Sequence, residues 1–250
     1  MKKTVTEHNV LRYNRQIALP QFDIDGQETL LNAKVLLIGL GGLGCACAQY
    51  LAASGVGALT LVDDDKVDVS NLQRQVLHKE KTVGQLKVES AHAALSAINS
   101  EVDYTLLAQR LDDIQLAKHV QNSDIVVDCC DNLATREQLN RLCWQNMTPL
   151  VSGAAIRIEG QLMAILPELG GPCYACVSQL FGEQNLSCSE TGVLSPIVGI
   201  VGASQALLAI KVLADLGASM HGVLQLFDGA TMQWQHIRVP KHPNCTICGA

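Results

Sequence analysis

Residues 34–44, Lys-Val-Leu-Leu-Ile-Gly-Leu-Gly-Gly-Leu-Gly, restrict the possible folds more than any other stretch. A continuous apolar run ending in glycine predicts a strand buried on both faces, as parallel sheets require. Gly39, Gly41, Gly42 and Gly44 then allow a sharp turn into the helix predicted for "GGLGCACAQYLAASGVG". Without β-carbons, the backbone N–H groups at that helix start can approach a phosphate closely, at the positive end of the helix dipole. Asp63 ends the next apolar run, "ALTLVD", 24 residues after Gly39. An acid there holds ribose hydroxyls in nucleotide-binding units, so the placed acid favours nucleotide binding over a turn used only for packing.

The strand–helix alternation continues. Strands are predicted at 58–63, 102–107, 124–131 and 148–154, with helices over 83–98 and around Leu139, Leu142 and Cys143. Such alternation builds an α/β fold with a doubly wound, mostly parallel sheet. After residue 154 the pattern changes. "EGQLMAILPE" predicts an antiparallel-type strand, and "GPCYACVSQLFGEQNLSCSETG" a polar, cysteine-bearing loop. A long apolar helix over about 196–216 and the strands "VLQLFD" and "QWQHIRV" follow. We expect one unit over 1–250, with a nucleotide-binding half (1–154) and a C-terminal extension (155–250).

Only 17% of the 250 residues are charged, with a net charge of −6, which argues against nucleic-acid binding. The most hydrophobic segment, 197–217, holds Ser204, Gln205 and Lys211 and follows Pro196. It predicts a buried core helix rather than a membrane span. No apolar run follows the two N-terminal lysines, so a secretory signal is not expected. The ten cysteines therefore point to a reducing cytoplasm and to metal or thiol chemistry.

Asn71 and Arg74 lie in the connection after the second strand, at the carboxyl end of the sheet where open α/β folds bind ligands. Lys87 sits near the start of the next helix, within reach of the same crevice. A dinucleotide brings a pyrophosphate already served by the helix start. Two added cations suit more anionic charge, such as a triphosphate with an attacking carboxylate. The alternative is ordinary solvated surface charge. Asp131, at the end of "DIVVDCCD", has two readings: a ligand for Mg²⁺, which favours one or two carboxylates plus phosphate oxygens, or an N-cap for the helix beginning near Asn132.

Cys173-Tyr-Ala-Cys176 and Cys245-Thr-Ile-Cys248 are two C-x₂-C pairs with 68 residues between them. Together they can supply four thiolates to a tetrahedral Zn²⁺, tying the tail to a mid-chain loop; redox dithiols are the alternative. Four protein ligands leave no position for water, which predicts a structural role. Cys188, in the polar stretch "LSCSETG", is a candidate nucleophilic thiol, but no base is placed beside it in the sequence, which favours the alternative of a spare loop cysteine. Cys45, Cys47, Cys129, Cys130 and Cys143 are expected in the core.

The ordered series "LRYNRQI", "GLGGLGCA", "LVDDDKVDVSNLQRQ", "VGQLKVES", "DCCDN", "PLVSGAAI", "GPCYACV" and "CTIC" resembles the E1-like activating enzymes of the ThiF and MoeB type over nearly the whole chain. The resemblance implies ATP-dependent adenylylation of the C-terminal glycine of a small ubiquitin-like sulfur carrier ending in Gly-Gly, in molybdenum cofactor or thiamine biosynthesis. It also implies a carrier-binding and zinc-bearing half at 155–250, and an ATP site from Gly42, Asp63, Asn71, Arg74, Lys87, Asp131 and Asn132. Further implied are a homodimer in which Arg15 enters the neighbouring subunit's site, and a structural zinc on the four paired cysteines. An NAD-dependent oxidoreductase and a non-catalytic carrier-binding module are the rival readings.

Overall fold

The computed structural model of the chain describes residues 2–181 and 192–249. Five parallel strands, β1 (Lys34–Ile38), β2 (Ala58–Val62), β3 (Asp103–Leu107), β4 (Ile125–Asp128) and β5 (Leu150–Ile156), begin an eight-stranded sheet. The antiparallel strands β6 (Glu159–Ile165), β7 (Val223–Asp228) and β8 (Gln233–Arg238) extend it past β5. The order is β3-β2-β1-β4-β5-β6-β7-β8, so chain direction around the sheet reverses between β1 and β4. A crevice opens outside the carboxyl ends of strands at such a switch point.

The unbroken apolar run of β1 serves two cores at once, because successive side chains point to opposite faces. Val35 and Leu37 pack with Leu51, Leu59, Leu95 and Val201 under α3 (Gly42–Ala53), α4 (Lys87–Ile98) and α8 (Ser195–Leu213). Leu36 and Ile38 pack with Val126, Leu139, Leu142 and Leu150 under α5 (Asp113–Gln121), α6 (Leu133–Gln145) and α7 (Tyr174–Phe181).

Close approach is built into the first face. A β-carbon on Gly44 would stand 1.8 Å from the Gly39 carbonyl oxygen, and one on Gly202 would stand 2.3 Å from the Leu43 oxygen. These two positions let α3 sit on β1 and α8 cross α3. By length and composition alone α8 could cross a membrane. In the fold it lies against α3 and β5, as the sequence predicts for a core helix. Its mid-helix amide is accounted for: Gln205, fully buried, donates from Nε2 to the Asp128 carbonyl at 2.6 Å.

Several elements depart from expectation. Helices α1 (Glu7–Ile17), α2 (Asp23–Asn32), α5 and α7 are not foreseen by apolar periodicity. In α1 only Asn9 and Tyr13 are buried, too few to mark a stripe. The helix predicted over 83–98 begins at Lys87, because Gly84 adopts φ +86° and Leu86 bridges Lys66. The strand predicted over 124–131 stops at Asp128, where the chain turns. Part of the predicted loop after Gly171 is the helix α7.

Candidate active site

A cleft of about 250 Å³ opens at the switch point. It is lined by Gly39, Gly41, Gly42, Asp63, Arg74, Lys87, Asp131 and Asn132, all expected from the sequence, and by Gln75, Gln109, Arg110 and Gln138 among others. Gly39 must be glycine: its φ is +93°, and a β-carbon would lie 2.8 Å from the Cys129 oxygen. Gly41 caps α3 without a side-chain hydrogen bond, so the N–H groups of the first turn remain for a ligand.

Asp63 fastens this turn. Its Oδ2 accepts from the Leu40 N–H at 2.7 Å and its Oδ1 from the Asp65 N–H at 2.9 Å. Burial pushes its carboxyl up, opposed by the Lys87 ammonium and these hydrogen bonds. Lys87 is itself buried, with Nζ 2.7 Å from Asp65 Oδ2. Arg74 donates from Nη1 to the Ser70 carbonyl at 3.1 Å and pairs with no carboxylate among the described residues. Asn132, not Asp131, caps α6, its Oδ1 accepting from the Thr135 N–H at 3.0 Å. The exposed Asp131 carboxylate keeps no partner among the described residues and faces the cleft.

Three expected residues stand apart from the lining. Gly44 serves the turn's packing. Asn71 shapes the connection, its Oδ1 accepting from the Asp68 N–H at 3.1 Å. Arg15 is exposed on α1, whose Tyr13 covers Gly55 and accepts from Asn99 Nδ2, beyond the C-terminal ends of α3 and α4. The twelve residues of α3 separate that end from the cleft by about 18 Å at 1.5 Å per residue. Cys188 lies outside the described residues.

Two features escape sequence reasoning. Gln75 is 3% exposed, and its Oε1, at the cleft wall, lacks any hydrogen-bond partner among the described residues. Beneath the β4–α6 turn, Asp128 is fully buried with its Oδ2 3.0 Å from Arg136 Nε, a contact not aligned as a hydrogen bond. The Ser152 hydroxyl donates to the same oxygen at 2.7 Å, and the Cys130 N–H to Oδ1 at 3.0 Å. Arg136 Nη2 donates to the Cys130 and Gly153 carbonyls at 2.7 and 2.9 Å. No short motif announces these residues; only an acid inside an apolar strand hints at a buried partner.

Away from the cleft, Cys173, Cys176, Cys245 and Cys248 gather with all four Sγ atoms within 4.8 Å of one another, and all are buried. The sulfurs of 173 and 245 are 3.7 Å apart, and those of 176 and 248 are 3.4 Å apart. Bonds of about 2.3 Å from a tetrahedral ion put sulfurs about 3.8 Å apart, close to this spacing. Asn140 Nδ2 contacts Cys173 Sγ at 3.5 Å while its Oδ1 accepts from the Tyr174 N–H at 2.8 Å. The Tyr174 ring lies 5.4 Å from the Arg136 guanidinium.

Comparison with known proteins agrees with this architecture. The ThiF family model matches residues 13–247. The molybdopterin-synthase adenylyltransferase of Escherichia coli is 50% identical over 98% of both chains. The sulfur carrier protein ThiS adenylyltransferase of the same species is 40% identical over 98% of this chain and 97% of its own length. Among solved structures, E. coli MccB with succinimide superposes with a TM-score of 0.83 at 25% identity, covering 98% of this chain and 75% of that one. With nearly its full length matched by the model and by relatives of equal size, the chain belongs to the ThiF family.

Proposed function

We propose that this chain uses ATP to adenylylate the C-terminal glycine carboxylate of a small ubiquitin-like sulfur carrier, one ending in Gly-Gly, for molybdenum cofactor or thiamine biosynthesis. The named relatives are adenylyltransferases, which leaves no support for an oxidoreductase. One observation carries the reading: the glycine turn, Arg74, Lys87 and Asp131, unpartnered among the described residues, line a single cleft at the switch point.

A carboxylate is a poor acyl donor because oxide is a poor leaving group, and joining it to AMP corrects this. One carboxylate oxygen attacks the α-phosphorus, and the bond to the bridging oxygen of the β-phosphoryl group breaks. Pyrophosphate leaves with that electron pair, and an acyl adenylate remains. The carboxylate is already ionised at neutral pH, so no base is needed. The barrier is the meeting of two anions. Arg74, Lys87 and the N–H groups of the first turn of α3 lower it by facing the place where charge accumulates. Asp63 holds the ribose, Asn132 lies in the cleft wall, and Asn71 shapes the connection that carries Arg74.

Asp131 fits a magnesium ion, being a carboxylate without a partner among the described residues and beside the phosphate cradle. When bound, Mg²⁺ supplies charge neutralisation for the departing pyrophosphate. Arg15 is too far along the fold to serve its own cleft, which supports a homodimer in which it completes the site of a second copy. The spacing of the four clustered thiols supports a structural zinc. Residues 1–154 would then bind the nucleotide, and 155–250 the carrier and the zinc, in a reducing cytoplasm that keeps these thiols free. Identity of 50% against 40% favours the molybdopterin-type carrier. The adenylylation step as written needs no thiol nucleophile, so the role open to Cys188 is a covalent link to the carrier in a later step.

The test is ATP–pyrophosphate exchange, run side by side with a molybdopterin-type and a thiamine-type carrier ending in Gly-Gly. Exchange that requires a carrier is the expected result, with the Cys188→Ala variant as active as the parent. No exchange with either carrier overturns the reading.

A further inference from the structure

His78 is a buried imidazole that the adenylylation chemistry leaves unused, and it touches the turn on which that chemistry depends. Its Nε2 lies 3.1 Å from the Leu40 carbonyl oxygen, and its Nδ1 lies 3.0 Å from the Ser90 hydroxyl. A carbonyl oxygen can only accept, so Nε2 must carry a hydrogen. Nδ1 is then bare and accepts the one hydrogen of the Ser90 hydroxyl, which turns to the ring rather than to Thr82 Oγ1 at 2.9 Å, the Thr82 hydrogen going to the Lys79 carbonyl at 2.8 Å. In this neutral form both ring nitrogens are satisfied. Burial supports it by pulling the imidazole below its usual range, the Leu40 carbonyl opposing; of the charges around it, Lys87 and Lys79 act with burial and Asp63 against it.

Leu40 stands between Gly39 and Gly41, the two most pliable positions of the phosphate cradle. Its N–H is held by Asp63 from the end of β2, and its carbonyl by His78 from the crossover, with the Cys45 thiol a weaker second donor at 3.4 Å. We propose that His78 is a positioning residue for nucleotide binding, locking the Leu40 peptide so that the N–H groups at the start of α3 are aimed before ATP arrives. Without this hold the turn keeps conformational freedom that binding must remove, and affinity falls accordingly. The inference rests on the ATP-site reading above but makes a separate demand on it.

The experiment measures ATP binding calorimetrically, with Mg²⁺ present, on the parent chain, His78→Phe and His78→Gln. Phenylalanine keeps the volume and loses the donor, and glutamine can place an amide N–H near Nε2. We expect about a tenfold rise in Kd for the Phe variant, the effect of one buried hydrogen bond, and a Kd within about threefold of the parent for Gln. Should the Phe variant not fold, ¹⁵N-histidine NMR of the parent chain decides, the His78 resonance being identified by its loss in His78→Gln. The Nε2–H tautomer is expected. A Phe variant binding ATP within about twofold of the parent, or a Gln variant as weak as Phe, overturns the inference. An Nδ1–H ring in the parent does the same. Where the parent still exchanges pyrophosphate, those results leave the functional reading standing, whereas a parent that binds no ATP removes both.

Discussion

The two sides of the β4–α6 turn treat charge in opposite ways. Toward the cleft, Asp131 is exposed and unpartnered among the described residues, and Arg74 meets only a carbonyl. Toward the protein, three residues earlier, Asp128 is fully buried, with Arg136, Ser152 and the Cys130 N–H around its carboxylate. The inner set fixes the backbone from Cys130 to Gly153, and the outer set is left open on that fixed frame. A charge that must serve a ligand is kept without a protein partner; a charge that must hold a turn is fully enclosed.

That contrast predicts where each loss is felt. Asp128→Ala leaves the buried Arg136 guanidinium uncompensated, and a cost of about 3–5 kcal/mol in unfolding free energy is expected. Urea denaturation measures it; a cost below about 1 kcal/mol would mean that the inner pair contributes little. Asp131→Ala or Arg74→Ala should leave the urea midpoint nearly unchanged while lowering pyrophosphate exchange by about a hundredfold or more. Near-parental exchange in either variant would remove its assigned role and erase the inner–outer distinction.

The inner set continues toward the cysteine corner, since Tyr174 stacks on Arg136 and its N–H reaches Asn140, which also contacts Cys173. Partners of this kind orient metal ligands. Asn140→Ala is expected to weaken zinc retention about tenfold, read by competition with a chromophoric chelator, with exchange in the zinc-loaded protein close to parental. Equal retention would show the corner to be independent of α6.

How far the sequence revealed these regions follows the same division. Glycines, strand-end acids and C-x₂-C pairs carry local rules, so the glycine turn, Asp63 and Asp131 of the cleft and the four gathered thiols are legible in the sequence. The Asp128–Arg136 pair was not, because its members pack through tertiary contact and no spacing rule joins them. Gln75 was hidden for a related reason: it reads as one more polar residue of a loop until its burial is known. Asn71 and Gly44 were placed with the ligand because they share a motif with lining residues, whereas their side-chain position or lack of one serves the turn. Helices α1 and α7 were missed because each buries too little, or is too short, to show a periodic stripe.

The smallest expected effect concerns the cleft's own wall. His78 is held below its ordinary value chiefly by burial, so the folded chain binds fewer protons than the unfolded chain just below pH 6.5. Stability from this group is therefore fully present above that pH and is lost as pH falls toward the folded value. Asp63 works the other way, since its raised carboxyl means stability is lost as pH rises through its folded value, from 3.8 upward. Comparing the parent with His78→Gln cancels the Asp63 contribution and that of the other histidines. The stability difference between them should narrow or reverse between about pH 7.5 and about pH 5.5, the parent losing its advantage in acid. A difference that stays constant across that interval would mean that the ring's protonation is the same folded as unfolded, and that burial beside the glycine turn leaves it unperturbed.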